Sequence, residues 1–173
     1  MFRVAVNVAD PPVPEEADVL ARVGDLPVDL GAMAVCSNVF RAAQRARSHL
    51  ERTVLRRHDL SWAGFSALFH VWVWGPMETR ALAESMGVAR PTVSGVADTL
   101  QRRGLVRREG DHRDRRLCRI AATADGERLI QALFPEFNAG ESALTAGLDD
   151  DERATLARLL RRVVHNAKEQ QTA

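Results

Sequence analysis

The sequence predicts a mainly α-helical protein with one small α+β lobe, because three patterns follow one another between residues 79 and 123. Residues 79–88 form an amphipathic helix that a glycine ends. Residues 90–103 form a second helix with a polar outer face, and Pro91 suits its first turn. Two short apolar strands, separated by an arginine-rich segment, then form a hairpin over residues 105–120. A helix-turn-helix followed by a basic hairpin indicates a surface for duplex DNA.

The composition narrows the class of protein. Of 173 residues, 46% are hydrophobic and 27% are charged, which is the balance of an ordinary folded domain. No uncharged apolar run reaches about 18 residues, so we expect no membrane span. The first residues lack the features of a secretory signal. We therefore expect a cytoplasmic protein, in which Cys36 and Cys118 are free thiols.

Charge is distributed unevenly along the chain. The formal net charge is only +1, which taken alone argues against a nucleic-acid partner. Residues 1–30, however, carry six acids and two arginines, whereas residues 101–120 carry eight arginines and three acids. Such a local basic cluster is the electrostatic feature of a DNA-binding surface. The alternative interpretation is a basic hairpin whose charges are merely solvated.

The other helices flank the predicted lobe on both sides. We expect an acidic N-terminal extension over residues 1–30 that contains one short helix, and a dimerisation helix over residues 31–58. The DNA-binding lobe then occupies residues 59–123, and C-terminal dimerisation helices occupy residues 124–173. Three hydroxyl residues are predicted N-caps, namely Ser61, Thr79 and Thr123.

Two further signals concern the C-terminal helices. Pro135 lies inside an apolar helical pattern and is predicted to kink that helix, since it removes one backbone hydrogen bond. Asp149 and Glu152 have the spacing of a capping box at the start of the last helix.

The long terminal helices are strongly apolar on one side. The first carries a heptad-like stripe and the last a broader one, with these members: Cys36, Val39, Ala43, Ala46, Leu50, Leu156, Leu159, Leu160, Val163 and Val164. The small DNA-binding lobe cannot cover both stripes. Pairing with the same helices of a second copy buries them, so the sequence predicts a homodimer.

This order of elements, together with one local motif, resembles the MarR family of bacterial winged helix-turn-helix regulators. The Asp-x-Arg-Asp-x-Arg stretch of residues 111–116 is similar to the family's wing signature. Residues 119–126 are similar to its junction between the second wing strand and the following helix, although Ala122 stands where the family usually has leucine. The resemblance covers about residues 31–168.

The resemblance implies a homodimer that binds a pseudo-palindromic operator in double-stranded DNA, usually as a repressor, and that a small ligand releases. In such a dimer, residues 90–103 enter the major groove and the hairpin tip reaches the minor groove. The helix offers six candidate DNA-contacting residues, Arg90, Thr92, Ser94, Gly95, Asp98 and Thr99. The wing offers four more, Asp111, Arg113, Arg115 and Arg116.

The candidates on the helix differ in what they offer DNA. Ser94 and Gly95 are small enough for the backbone to approach the bases, and the hydroxyls of Thr92 and Ser94 can bond base edges or phosphate. Asp98 leaves two alternatives open. An acid on this face either accepts a hydrogen bond from cytosine or positions an arginine of the protein itself.

On the wing, Arg113 is the candidate for insertion into a narrow minor groove, with Asp111 holding its side chain in place. Arg115 and Arg116 are expected to contact phosphate or to pair with Asp114. For Arg115 the alternative is that it only braces the hairpin.

The resemblance also implies a ligand pocket between the dimerisation helices and the DNA-binding lobe. The candidate ligand-binding residues are Trp62, His70, Trp74, Arg45 and His49. Tryptophans can stack a small aromatic effector, although core packing is the simpler interpretation of Trp72 and Phe65.

Three other functions compete with this interpretation. A redox-sensing regulator of the same fold would act through Cys36, but that residue lies on the apolar stripe, where a buried thiol is unreactive, and the chain has no tyrosine to support it. A winged-helix module that binds only proteins is the second. An enzyme is the third, and the chain has no nucleophile elbow, phosphate loop or zinc-protease motif. We expect no catalytic residue, metal site or cofactor.

Overall fold

The computed structural model of the protein describes residues 11–24, 26–110 and 118–172. By compactness the chain divides into two units, residues 1–49 and 50–173. The elements, in chain order, are α1 (Pro14–Val23), α2 (Leu30–Thr53), a 3-10 turn (Leu55–His58), α3 (Trp62–Trp74), β1 (Met77–Glu78), α4 (Thr79–Met86), α5 (Arg90–Arg102), β2 (Val106–Gly110), β3 (Cys118–Ala122), α6 (Ala124–Leu144) and α7 (Asp150–Thr172). Among the described residues, no helix combines the length and apolar character that crossing a membrane requires.

The first unit contains α1 and most of α2. Pro14 lies in the first turn of α1, where its missing N–H costs nothing, and the predicted helix in the acidic extension is confirmed. Two polar contacts join α1 to α2. The Glu15 carboxylate pairs with Arg45 at 2.8 Å, and Asn38 donates to the Glu16 carboxylate at 2.8 Å. Both contacts are solvent-exposed, so each contributes little to stability.

The second unit is built around aromatic contacts between α3 and α6. Ser61 caps α3 by accepting a hydrogen bond from the N–H of Gly64 at 3.1 Å, as predicted. Phe65 stacks on Phe137 with ring centroids 4.3 Å apart, and Phe69 stacks on Phe134 at 5.4 Å. The largest fully buried side chains surround these rings and include Leu68, Leu82, Leu100, Ile120, Ile130 and Leu133. This core fixes the platform on which α4, α5 and the sheet lie.

Three antiparallel strands form one sheet in the order β1-β3-β2. In the hairpin, Val106 pairs with Ala122 and Arg108 pairs with Ile120, so the predicted strands are confirmed. The sequence did not predict β1, which pairs with β3 through Met77 and Ile120. A strand of two residues is too short to show the alternation by which strands are detected.

The helix-turn-helix consists of α4 and α5. Gly87 ends α4 in the left-handed conformation, with φ of 65°, as predicted. The predicted N-cap Thr79 is wrong. The N-cap is Glu78, without a side-chain hydrogen bond, because the extended backbone of β1 continues directly into α4 and makes Thr79 the first helical residue.

Two other helix predictions need correction or completion. The long helix α2 ends at Thr53, earlier than predicted, and the chain turns there to bury Val54 and Leu55. Helix α6 continues through Pro135 from Ala124 to Leu144, and Thr123 caps it as predicted.

The capping box at the start of α7 is confirmed. The N–H of Asp149 donates to the Glu152 carboxylate at 2.9 Å, and the N–H of Glu152 donates to the Asp149 carboxylate at 2.8 Å. With its mainly helical content and its small sheet, the protein has the predicted winged helix-turn-helix fold.

The close packing at Gly126 generates a stability prediction. A Cβ at this position would lie 2.0 Å from the backbone oxygen of Leu105, so Gly126→Ala must displace α6 or the start of the wing. We expect a loss of about 1–3 kcal/mol in the free energy of unfolding. The matched control is Gly95→Ala, because a Cβ there meets nothing within 4 Å and should stabilise α5 by about 0.5–1 kcal/mol. Urea unfolding at one fixed protein concentration measures both, and an unchanged stability of Gly126→Ala would contradict the packing.

Candidate nucleic-acid interface

Helix α5 has one buried face and one polar face. Val93, Ala97 and Leu100 are buried in the core of the second unit, which fixes the rotation of the helix about its axis. The six predicted DNA-contacting residues lie on the remaining surface. Four are exposed, namely Arg90, Thr92, Gly95 and Thr99, and two are half-buried, namely Ser94 and Asp98.

The N-terminal half of this polar face is open. Within the described part of the chain, no hydrogen bond or ion pair engages the side chains of Arg90, Thr92 or Ser94. A Cβ built at Gly95 meets no atom within 4 Å, so another molecule can approach the backbone there. The N-terminal residues of a recognition helix are the ones that contact base edges. These groups are therefore available for that role.

The C-terminal half of the same face is already engaged. The hydroxyl of Thr99 donates to the carbonyl oxygen of Gly95 at 3.0 Å and accepts from the guanidinium of Arg102 at 3.1 Å. The carboxylate of Asp98 pairs with the guanidinium of Arg108 in β2 at 2.7 Å. Of the two alternatives for Asp98, the structure therefore shows the one in which it holds an arginine of the protein.

The base of the wing carries two arginines that sequence reasoning did not select. Arg107 donates to the backbone oxygen of Ala122 at 2.6 Å and pairs with the Glu109 carboxylate, so it braces the hairpin. Arg108 is the partner of Asp98. Strand alternation, which places neighbouring residues on opposite faces, is the signal that could have separated their roles.

The four wing candidates cannot be placed on this framework. Asp111, Arg113, Arg115 and Arg116 lie within residues 111–117, outside the described residues. Strands β2 and β3 run up to that segment from both sides, with Gly110 paired to Cys118.

Arg80, in the first turn of α4, adds another positive charge to the lobe. Its guanidinium donates to the Glu84 carboxylate at 2.8 Å, and this hydrogen bond, with the attraction between the two charges, raises the pKa of Arg80. Both side chains are exposed, so the pair contributes little to stability.

Three of the ligand-binding candidates lie in the second unit. Trp62 packs in the aromatic core, with its ring centroid 6.2 Å from that of Phe65 and 6.1 Å from that of Phe137. His70 and Trp74 form a separate pair with centroids 4.9 Å apart, and Trp74 is 62% exposed. The Nδ1–H of His70 donates to the backbone oxygen of Ser66 at 2.7 Å, which fixes the plane of the imidazole ring. This exposed pair suits an aromatic partner better than Trp62 does.

The other candidates lie in the first unit. Arg45 is ion-paired with Glu15 of α1, and His49 is half-buried. The expectation that Cys36 is a buried thiol is not met within one chain, because Cys36 is exposed on α2. Cys118 is exposed as well. Among the described residues, no three histidine, cysteine or acidic side chains form a cluster that could hold a metal ion.

Comparison with known proteins agrees with this architecture. A family model described as the MarR family matches residues 60–118. An uncharacterised helix-turn-helix transcriptional regulator of Bacillus subtilis, YwaE, is 42% identical over 155 residues, which cover 88% of this chain and 91% of the relative.

Two solved structures extend the comparison. BpsR of Bordetella bronchiseptica is similar with a TM-score of 0.68 at 26% identity, over 75% of this chain and 98% of that one. Its description concerns the regulation of DNA binding by 6-hydroxynicotinic acid. A MepR–DNA complex of S. aureus is similar with a TM-score of 0.67 at 22% identity, over 75% of this chain and 96% of that one, which shows a shared fold.

The contrast between the two halves of α5 generates a prediction about its threonines. Thr92→Val removes an open hydroxyl, and we expect it to lower affinity for a specific DNA site about tenfold, the value of one good base contact. Thr99→Val removes a hydroxyl that is already bonded inside the protein, so we expect affinity within about threefold of wild type and a stability loss of about 1 kcal/mol. Fluorescence anisotropy with a labelled duplex measures the affinities. Equal losses of affinity for the two variants would contradict the assignment.

Proposed function

The chain belongs to the MarR family of helix-turn-helix transcriptional regulators, and from this premise we propose that it binds a two-fold DNA operator as a homodimer and represses transcription until a small ligand releases it. As a member of that family the protein is a regulator and not an enzyme. The observation that carries the proposal is the open N-terminal half of α5, where hydroxyls and a guanidinium stand without partners in the described structure.

In the proposed complex, α5 lies in the major groove and the wing reaches the adjacent minor groove. Arg90, Thr92 and Ser94 contact bases or the phosphates beside them, and Gly95 allows the helix backbone to come close. At the tip of the wing, Arg113 enters the minor groove, with Asp111 orienting it. Arg115 and Arg116 bind phosphate.

The apolar surface of α7 supports a homodimer. Every described side chain of this helix from Asp150 to Gln170 is exposed, including five large aliphatic residues. In the first unit, Val35 and Phe40 of α2 are also exposed, Phe40 by 72%. Soluble proteins rarely leave apolar stripes of this kind uncovered. We assign dimerisation to residues 31–58 and 124–173, and DNA binding to residues 59–123, in a regulator that acts in the cytoplasm.

Release by a small aromatic ligand is the least constrained part of the proposal. The description of BpsR names 6-hydroxynicotinic acid, an aromatic acid, as a regulator of that protein's DNA binding. In this chain, the exposed pair of Trp74 and His70 offers a surface on which an aromatic ring can stack. Arg45 offers a cation for a carboxylate. Trp62 and His49 complete the proposed ligand-binding set.

The wing arginines provide the test of the proposed function. The double variant Arg113→Ala/Arg116→Ala removes two proposed DNA contacts, and we expect operator affinity to fall by at least tenfold. Because each lost phosphate contact retains one fewer counterion, the slope of log affinity against log salt should become shallower by about 0.9 per contact. Binding to a duplex selected from genomic fragments, measured at several salt concentrations, gives both quantities.

The matched control is Arg22→Ala/Arg128→Ala, which removes the same number of charges from exposed positions in α1 and α6. It should leave both affinity and slope within about threefold and about 0.3 of wild type. If the wing variant behaves like this control, the groove assignment is wrong and a module that binds only proteins becomes the better hypothesis.

A further inference from the structure

We propose that Arg108 is a positioning residue for DNA recognition, which neutralises Asp98 on the recognition helix and ties that helix to the wing. This inference rests on the proposed function, since it assumes that α5 and the wing bind DNA together. The pair joins Oδ1 of Asp98 to Nη1 of Arg108 at 2.7 Å. The side chains are 48% and 38% exposed, so the pair lies at the surface that DNA would cover.

The carboxylate of Asp98 explains why a partner is needed. Asp98 lies on the polar face of α5, one turn beyond Ser94, where DNA phosphates would come near. An unpaired carboxylate there would repel phosphate, and the repulsion would strengthen as binding expelled water. It would also accept a hydrogen bond from cytosine and so draw the helix toward other sequences. Pairing with Arg108 suppresses both effects.

The same pair also fixes the angle between α5 and the wing. The connection between them is short: Gly104 adopts the left-handed conformation, with φ of 71°, and the N–H of Leu105 donates to the oxygen of Leu100 at 3.0 Å. This turn acts as a single pivot. The Asp98–Arg108 pair adds a second attachment, three residues into the strand side of the turn, so that β2 cannot rotate freely relative to the helix.

The attachment matters because the wing extends beyond it. Arg108 lies in the middle of β2, and the hairpin continues past Gly110 toward the tip that carries the proposed minor-groove arginine. A small rotation at the base is therefore amplified at the tip. Since two adjacent grooves must be entered at once, the pair sets the geometry on which simultaneous entry depends.

The neighbouring charges leave Arg108 free for this role. Asp98, Gln101, Arg102 and Arg108 line one open surface concavity. Two arginines face one carboxylate there, so the concavity keeps a positive charge after Asp98 is neutralised. Arg102 donates to the Thr99 hydroxyl and retains other N–H groups that can bind a phosphate. A direct phosphate contact by Arg108 is the competing role, and it predicts different behaviour in a double-mutant cycle.

The experiment compares Arg108→Met, Asp98→Asn and the double variant with wild type. The probes are a duplex that the wild-type protein selects from genomic fragments and a duplex of the same length with scrambled sequence. We expect Arg108→Met to weaken binding to the selected duplex by at least tenfold and to narrow the preference over the scrambled one. Asp98→Asn alone should stay within about threefold of wild type. The double variant should recover to within about threefold, with a wild-type salt slope.

Rescue by Asp98→Asn is the decisive result, because a lost phosphate contact cannot be restored by removing a carboxylate's hydrogen-bonding charge and would leave the salt slope shallower by about 0.9. A double variant as weak as Arg108→Met with that shallower slope overturns the proposal, and so does an Arg108→Met variant that binds like wild type. If Arg108→Met does not fold, as judged by circular dichroism, Arg108→Gln takes its place in the cycle. Failure of the wild-type protein to select any duplex would instead overturn the proposed function.

Discussion

Five aliphatic side chains of α7, Leu156, Leu159, Leu160, Val163 and Val164, are 36 to 55% exposed in the single chain. Each square ångström of apolar surface left in water costs about 25 cal/mol, and a helix gains most of its stability from packing rather than from intrinsic propensity. The capping box of Asp149 and Glu152 stabilises only the first turn. A helix of this length and pattern therefore requires a covering surface, and a second copy of the same helix supplies one with matching chemistry.

The proposed DNA interface depends on that pairing, because two recognition helices related by a two-fold axis match a two-fold operator. Within each lobe, the aromatic contacts between α3 and α6 hold the core on which α5 rests. Helix α5 then divides its polar face between two tasks. Its N-terminal half, from Arg90 to Gly95, stays open for DNA, whereas Asp98 and Thr99 are bonded to arginines of the protein.

Local signals in the sequence predicted most of this architecture. The helical spacing of apolar residues gave α3, α5 and α6, and Ser61 and Thr123 marked two helix starts correctly. Features that depend on distant partners escaped prediction. Strand β1 exists only because β3 pairs with it, and that pairing also displaced the cap from Thr79 to Glu78. The partner of Asp98 likewise lies on another element, so the sequence left its role open between DNA and protein.

The mass of the protein in solution tests the central claim most directly. Sedimentation equilibrium at micromolar concentration, with and without a selected operator duplex, is the measurement. We predict a species of 38.2 kDa, twice the 19.1 kDa of one chain, both free and as one dimer bound to each duplex. A free species of 19.1 kDa that binds DNA one chain at a time would leave the apolar face of α7 uncovered and would contradict the account.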